Sequence, residues 1–171
     1  GLQVLEQTER LVKLTTDGKT SVLSIEQPET VVAKQGKTTG LYHFALLLPN
    51  RSDLADIVHH FSEIGFRHGA SDHLVSEALY LSDPDGNGIE IYIDRAPSEW
   101  SWRNGEVAMT VDPLDFEDLL TERKQQSWKG MPAGTVMGHL HLHVSELSKS
   151  EEFYTKGLGF EVVNRYGNQA L

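Results

Sequence analysis

The stretch from Asp72 to Asp94, DHLVSEALYLSDPDGNGIEIYID, constrains this chain more than any other. Two runs rich in apolar and aromatic residues, Glu77 to Leu81 and Ile89 to Ile93, flank a dense cluster of turn formers: Asp83, Pro84, Asp85, Gly86, Asn87 and Gly88. That order predicts a β-hairpin. In its second strand Ile89, Ile91 and Ile93 share one face, which puts Glu90 and Tyr92 together on the other. A carboxylate on so apolar a strand marks either a wet sheet face or a ligand, and the segment alone leaves both readings open.

Upstream, Thr39 to Leu48 (TGLYHFALLL) reads as a strand that Pro49-Asn50 ends, with Asn50 as a helix N-cap and Asp53 near the first turn. The helix that follows carries Leu54, Ile57, Val58, Phe61 and Ile64 on one stripe, and Gly65 stops it. His59 and His60 fall at or beyond the edge of that stripe and are expected at the surface. Phe66 to Val75 completes the unit as a strand leading into the hairpin. Before this unit, Gln3 to Glu6, Leu11 to Thr15 and Ser21 to Ile25 predict three strands, with Asp17-Gly18 as a turn.

After it, Pro97, Trp100, Trp102 and Asn104-Gly105 mark a connector whose aromatics are expected to pack against the rest, and Asp112-Pro113 opens a helix bearing Phe116, Leu119 and Leu120. Gly130 to Gly134, with Pro132, closes the connector. Val136 to Val144 then predicts a strand, and Ser148-Lys149-Ser150-Glu151 a capping box at the start of a helix with Phe153, Tyr154 and Leu158. Gly159, Phe160, Glu161, Val162 and Val163 resemble Gly1, Leu2, Gln3, Val4 and Leu5, a sign of internal repetition.

Charge and composition exclude several classes. Fifteen basic against 25 acidic side chains give a net charge of -10, which repels nucleic acid and anionic membrane surfaces. The chain has no cysteine, so it has neither disulfides nor thiolate sites, as suits a cytoplasmic protein. The longest apolar run, Phe44 to Leu48, is far too short to span a bilayer.

DPDGNGIE followed by an apolar strand resembles the last hairpin of a βαβββ module in the vicinal oxygen chelate superfamily, which includes glyoxalases, fosfomycin-resistance proteins and extradiol ring-cleaving dioxygenases. The likeness extends upstream. His73, Leu79, Tyr80, Asp83, Pro84, Gly86 and Glu90 nearly spell the extradiol signature, with Ser71 departing where Gly, Asn, Thr, Ile or Val is usual. GLYHFALLLP and GHLHLHVSEL match the family's opening strands. The resemblance implies an α+β fold of repeated βαβββ modules forming curved mixed sheets, the glyoxalase/dioxygenase-like fold. On that reading 1–38 is the later part of a first module, 39–95 a complete second module, 96–134 the connector and 135–171 the earlier part of a third. The chain would then be a fragment, with the first and third modules each incomplete.

The same resemblance implies a metal held by His43, Glu90 and His139, a two-histidine, one-carboxylate triad of the kind that suits Fe(II), with Mn(II), Zn(II) or Ni(II) as alternatives. His141 and His143 share a face with His139 by period-two alternation, so the residues alone leave the choice among the three open. His73 and Tyr80 match positions that contact the substrate and its oxygenated intermediates, and both side chains can donate to an oxyanion. The implied activity is that of an extradiol dioxygenase taking a small aromatic diol and O2, in aromatic hydrocarbon catabolism. A glyoxalase-like lyase or isomerase and a metal-free binding module of the same fold are the alternatives. Incomplete modules would leave sheet edges that recruit a second copy, so a dimer is expected.

Overall fold

The hairpin forms around Asp83. In the computed structural model, which describes every residue except Lys34, Gln126, Asn168 and Leu171, one oxygen of the Asp83 carboxylate accepts the Asp85 and Asn87 backbone N–H groups at 3.0 and 2.8 Å, and the other accepts the Asn87 side-chain amide at 2.8 Å. These bonds close the turn between two strands paired from Ser76↔Asp94 to Ser82↔Gly88.

In chain order the strands and α-helices are β1 (Gln3–Gln7), β2 (Leu11–Thr15), β3 (Ser21–Glu26), β4 (Gly40–Leu47), α1 (Arg51–Glu63), β5 (Gly69–Asp72), β6 (Ser76–Ser82), β7 (Gly88–Asp94), β8 (Trp102–Arg103), β9 (Glu106–Val107), α2 (Phe116–Thr121), β10 (Val136–His143) and α3 (Leu147–Glu152). β1, β2 and β3 form an antiparallel sheet in sequence order. A five-stranded sheet has the order β10-β4-β7-β6-β5, in which only the β4–β7 pair is parallel. The fold is therefore α+β, with mixed and antiparallel sheets and few helices, as in the glyoxalase/dioxygenase-like fold. Among the described residues no helix is long and apolar enough to cross a membrane.

Period-two alternation divides the large sheet into two faces. On one, Leu79 and Ile91 pack against Leu54, Ile57 and Val58 of α1, together with Leu114 and Leu119 from the connector. Burying each such aliphatic side chain contributes about 1.5–3 kcal/mol. On the other face Ala45, Ala78 and Tyr92 form a smaller cluster with Leu47 and Tyr80. On the α1 side Glu77, 3% exposed, receives Arg51 through two bonds at 2.6 and 2.9 Å. The pair links α1 to β6, and removing Arg51 would leave the buried Glu77 carboxylate short of its main partner.

Local expectations fail where side chains find other partners. Asn50 does flank α1, but its amide donates to Asp53 at 3.0 Å rather than capping, and the Asp53 N–H bonds the Asn50 carbonyl at 3.0 Å. Ile64, expected on the apolar stripe, is exposed one residue past the helix. β5 is shorter than the strand expected over Phe66 to Val75: it begins at Gly69, and past its end Leu74 turns the chain with a left-handed φ of 66°. The connector helix starts at Phe116, capped by the Asp115 carboxylate on the Asp118 N–H, while Asp112 instead bridges to Asp72. No capping box forms at Ser148 to Glu151: α3 begins at Leu147, and the Ser148 hydroxyl donates to the Glu146 carboxylate. Of the connector aromatics, Trp128 stacks on His60 and Trp100 donates to the Arg95 carbonyl, but Trp102 is more than half exposed.

Candidate metal centre

Strand register brings the site together. Ala45 in β4 lies opposite Glu90 in β7 on one side and opposite His139 in β10 on the other, and His43 is two residues along the same strand. With only a methyl group at Ala45, which is fully buried, the space between its neighbours stays open to the longer side chains. His43 Nε2 and His139 Nε2 each lie 3.0 Å from the same Glu90 oxygen, Oε2. One ligating atom from each of the three residues lies within 4.8 Å of the others.

These donors fit a metal ion. Cis ligands at about 2.1 Å from a six-coordinate metal are separated by about 3 Å, which is the imidazole-to-carboxylate spacing on both sides of Glu90. The charge also fits: burial alone pushes the Glu90 carboxyl up, but the imidazoles of His139 and His43 beside it override this and hold its pKa at about 2, so the group is a carboxylate at neutral pH. The His43 and Glu90 side chains are 10% and 4% exposed, whereas that of His139 is 42% exposed, so the centre is open on the β10 side.

Two glycines allow the approach. A Cβ at Gly88 would stand 2.5 Å from the Tyr42 carbonyl oxygen and 2.8 Å from His43 Cβ, so the close β4–β7 contact beside His43 requires glycine. A Cβ at Gly138 would run into the Tyr92 hydroxyl and ring. The register of β10 shifts at this point, between Met137 and His139, as at a bulge. Tyr92 closes the site on that side with its ring edge-on to His139, and burial, helped by the Asp94 and Glu90 carboxylates, pushes its hydroxyl up to about 12.

The other two β10 histidines take different places. His141 pairs with His43 and sets its ring edge-on against that imidazole at 4.8 Å. Burial lowers the pKa of His141, and the neighbouring His43, His143 and His139 push it the same way. His143 follows a second register shift and stacks on Tyr42 at 4.5 Å.

His73 and Tyr80 meet beside the triad. His73 Nδ1 lies 2.7 Å from the Thr110 carbonyl, which can only accept, so that nitrogen carries hydrogen. In the neutral ring Nε2 then accepts the Tyr80 hydroxyl proton across 2.7 Å. Burial raises the Tyr80 pKa, and the nearby Glu90 carboxylate raises it further, so Tyr80 is a phenol at neutral pH. A cavity of about 500 Å³ opens next to His43 and Tyr80, lined also by Tyr42, His143 and Ser82, which is room for a single aromatic ring. Ala45, Gly88 and Tyr92 are contributors that motif reading missed. Gly88 had a signal in the sequence as the last glycine of the turn, and Tyr92 as the residue that alternation places on the Glu90 face of its strand.

The chain is 47% identical over 172 aligned residues to the catechol-2,3-dioxygenase of Bacillus subtilis (strain 168), an alignment that covers 99% of this chain. The chain is a relative of the extradiol dioxygenases of the vicinal oxygen chelate superfamily. It spans 60% of the length of that curated relative. No family profile matches the chain, and no solved structure does. For this extradiol-dioxygenase-like chain, His43, Glu90 and His139 form a candidate metal site on the face that also bears Tyr80.

Proposed function

We propose that this chain carries the metal centre of a catechol 2,3-dioxygenase, an extradiol enzyme that opens the ring of a small aromatic diol beside its two hydroxyls and places both atoms of O2 in the product. The observation that carries the reading is the convergence of two imidazole nitrogens at 3.0 Å on one oxygen of a buried carboxylate. His43, Glu90 and His139 would hold Fe(II), with Mn(II), Zn(II) and Ni(II) as alternatives. When bound, the ion supplies open positions for diol and O2 together and a route for electrons between them.

The protein's own groups handle binding and protons. The cavity beside Tyr80 and His43 receives the ring, and His141 packs against the His43 imidazole. The Tyr80 oxygen takes a proton from a diol hydroxyl as its own proton passes to His73 Nε2. The Thr110 carbonyl, bonded to Nδ1–H, then stabilises the resulting imidazolium. The reverse transfer returns the proton to an oxyanion of the product.

We also read the enzyme as cytoplasmic, and residues 39–95 as one complete βαβββ module flanked by parts of two others. The long edge strand β10, exposed at all 8 residues, favours self-association as a dimer. Sedimentation at several concentrations tests this, and a single 19.1 kDa species throughout overturns it.

The activity is tested by loading the chain with Fe(II) in air-free buffer, then adding catechol and oxygen. A yellow ring-opened semialdehyde is expected, with one O2 consumed per ring, and faster turnover is expected from a chain extended to the length of the relative. Absence of colour and of oxygen uptake in that iron-loaded extended protein, across several catechols, overturns the proposal. Purification with Zn or Ni would then favour a lyase, and with no metal a binding protein.

A further inference from the structure

Behind the large sheet, on its α1 side, alternating charges run from the helices to the residue preceding His73. Arg51 bonds Asp118 at 2.7 Å as well as Glu77. Glu77 also receives Arg95 at 3.4 Å, and Arg95 grips Asp72 with two parallel bonds of 2.7 Å. Asp72 lies opposite Glu77 in the register and shares its face. The next residue, His73, emerges on the opposite face, where its ring meets Tyr80.

Asp72 does more than pair with Arg95. Its Oδ1 accepts the Leu74 N–H at 2.8 Å and so holds Leu74 in the left-handed conformation that a branched side chain rarely adopts. Its backbone exchanges N–H···O bonds of 2.8 and 2.9 Å with Asp112, two residues from the Thr110 carbonyl that holds His73 Nδ1. Asp72 thus ties the short turn that carries His73 in two ways, its carboxylate holding the Leu74 end and its backbone the end joined to Asp112. A two-bond guanidinium fork resists rotation of that carboxylate as a single bond cannot.

We infer that Asp72 and Arg95 are positioning residues, whose fork aims His73 at Tyr80 and fixes His73 as the Nδ1–H tautomer from the far side of the sheet. The inference rests on the reading of His73 and Tyr80 given above for its catalytic consequence, though not for its geometry. With the fork in place the Tyr80 hydrogen is directed at His73, which leaves the Tyr80 oxygen as the acceptor facing a diol.

The test is long-range ¹H–¹⁵N NMR of the histidine rings in the 171-residue chain, with His73 assigned through His73→Gln. The parent should show His73 protonated at Nδ1 and unprotonated at Nε2. In Arg95→Gln and Asp72→Ala that pattern should give way to the averaged signals of a solvated imidazole, and Asp72→Asn, which keeps an oxygen for Leu74 and Arg95, should restore part of it. Parent-like His73 signals in folded Arg95→Gln and Asp72→Ala overturn the inference. If neither folds, Arg95→Lys decides, since it keeps the cation without the fork: averaged signals support the inference and parent-like signals overturn it. Ring cleavage by the same variants separates the two readings. Altered His73 signals with unchanged kcat leave the positioning intact and remove His73 from the reaction, whereas lost kcat with unaltered signals overturns the positioning.

Discussion

Glu90→Ala is expected to abolish stoichiometric metal binding, and His43→Ala and His139→Ala to weaken it by at least about 100-fold, because even residues behind the ligands commonly account for 10–100-fold in affinity. Glu90 has the largest effect since it is the only anion of the three and the group on which both imidazoles converge. Its loss leaves two imidazoles that hold an ion without charge compensation. His141→Ala is expected to keep the metal, because its ring packs against His43 rather than reaching Glu90. Metal content and titration calorimetry after air-free loading check this. Full occupancy in Glu90→Ala would remove the centre from this place, and loss of metal in His141→Ala but not in His139→Ala would move the third ligand along β10.

The second large effect is expected at a residue with no side chain. Gly88→Ala places a methyl group 2.5 Å from the Tyr42 carbonyl and 2.8 Å from His43 Cβ, and the nearer obstacle is backbone that cannot rotate away. β4 and β7 must separate where His43 pairs with Gly88, two pairs along from the Ala45–Glu90 level. Overpacking of this kind costs about 1–3 kcal/mol, and here it also spreads two ligands, so a lower melting temperature should come with weaker metal binding. Gly36→Ala is the control: a Cβ there meets nothing within 4 Å, and a change within about 0.5 kcal/mol is expected. A parent-like melting temperature and metal affinity in Gly88→Ala would show that the strand pair tolerates the methyl group.

Much of the fold was legible because it is periodic. The apolar stripe of α1, the alternation of β7 and the dense turn around Asp83 each follow a local rule that packing does not contradict. The short β8–β9 hairpin left little trace in the sequence, although Asn104 and Gly105, both at positive φ, are the residues such a turn requires. Its strands have two residues each, too few for alternation to register. The site was legible as residue types but not as an arrangement. Alternation made His139, His141 and His143 equivalent; in the sheet His139 lies opposite Ala45 and reaches Glu90, His141 lies opposite His43, and a register shift after His141 sets His143 apart. Asp72 and Arg95 were invisible as a pair, since charges 23 residues apart meet only once the hairpin has formed.

The placement of Gly138 next to Tyr92 bears on how β10 finds its alignment. A slip of one residue along β4 would turn His139 to the far face of the sheet, and an ion held by all three side chains then draws the ensemble back by mass action. A slip of two is a different error, because it would offer His141 in place of His139 and the ion would accept it. That slip also carries Leu140 into the position of Gly138, where even a single methyl group collides with the Tyr92 ring. Metal and glycine thus reject complementary mistakes, and the run of alternating histidines can settle on one alignment without the ion having to distinguish one imidazole from the next.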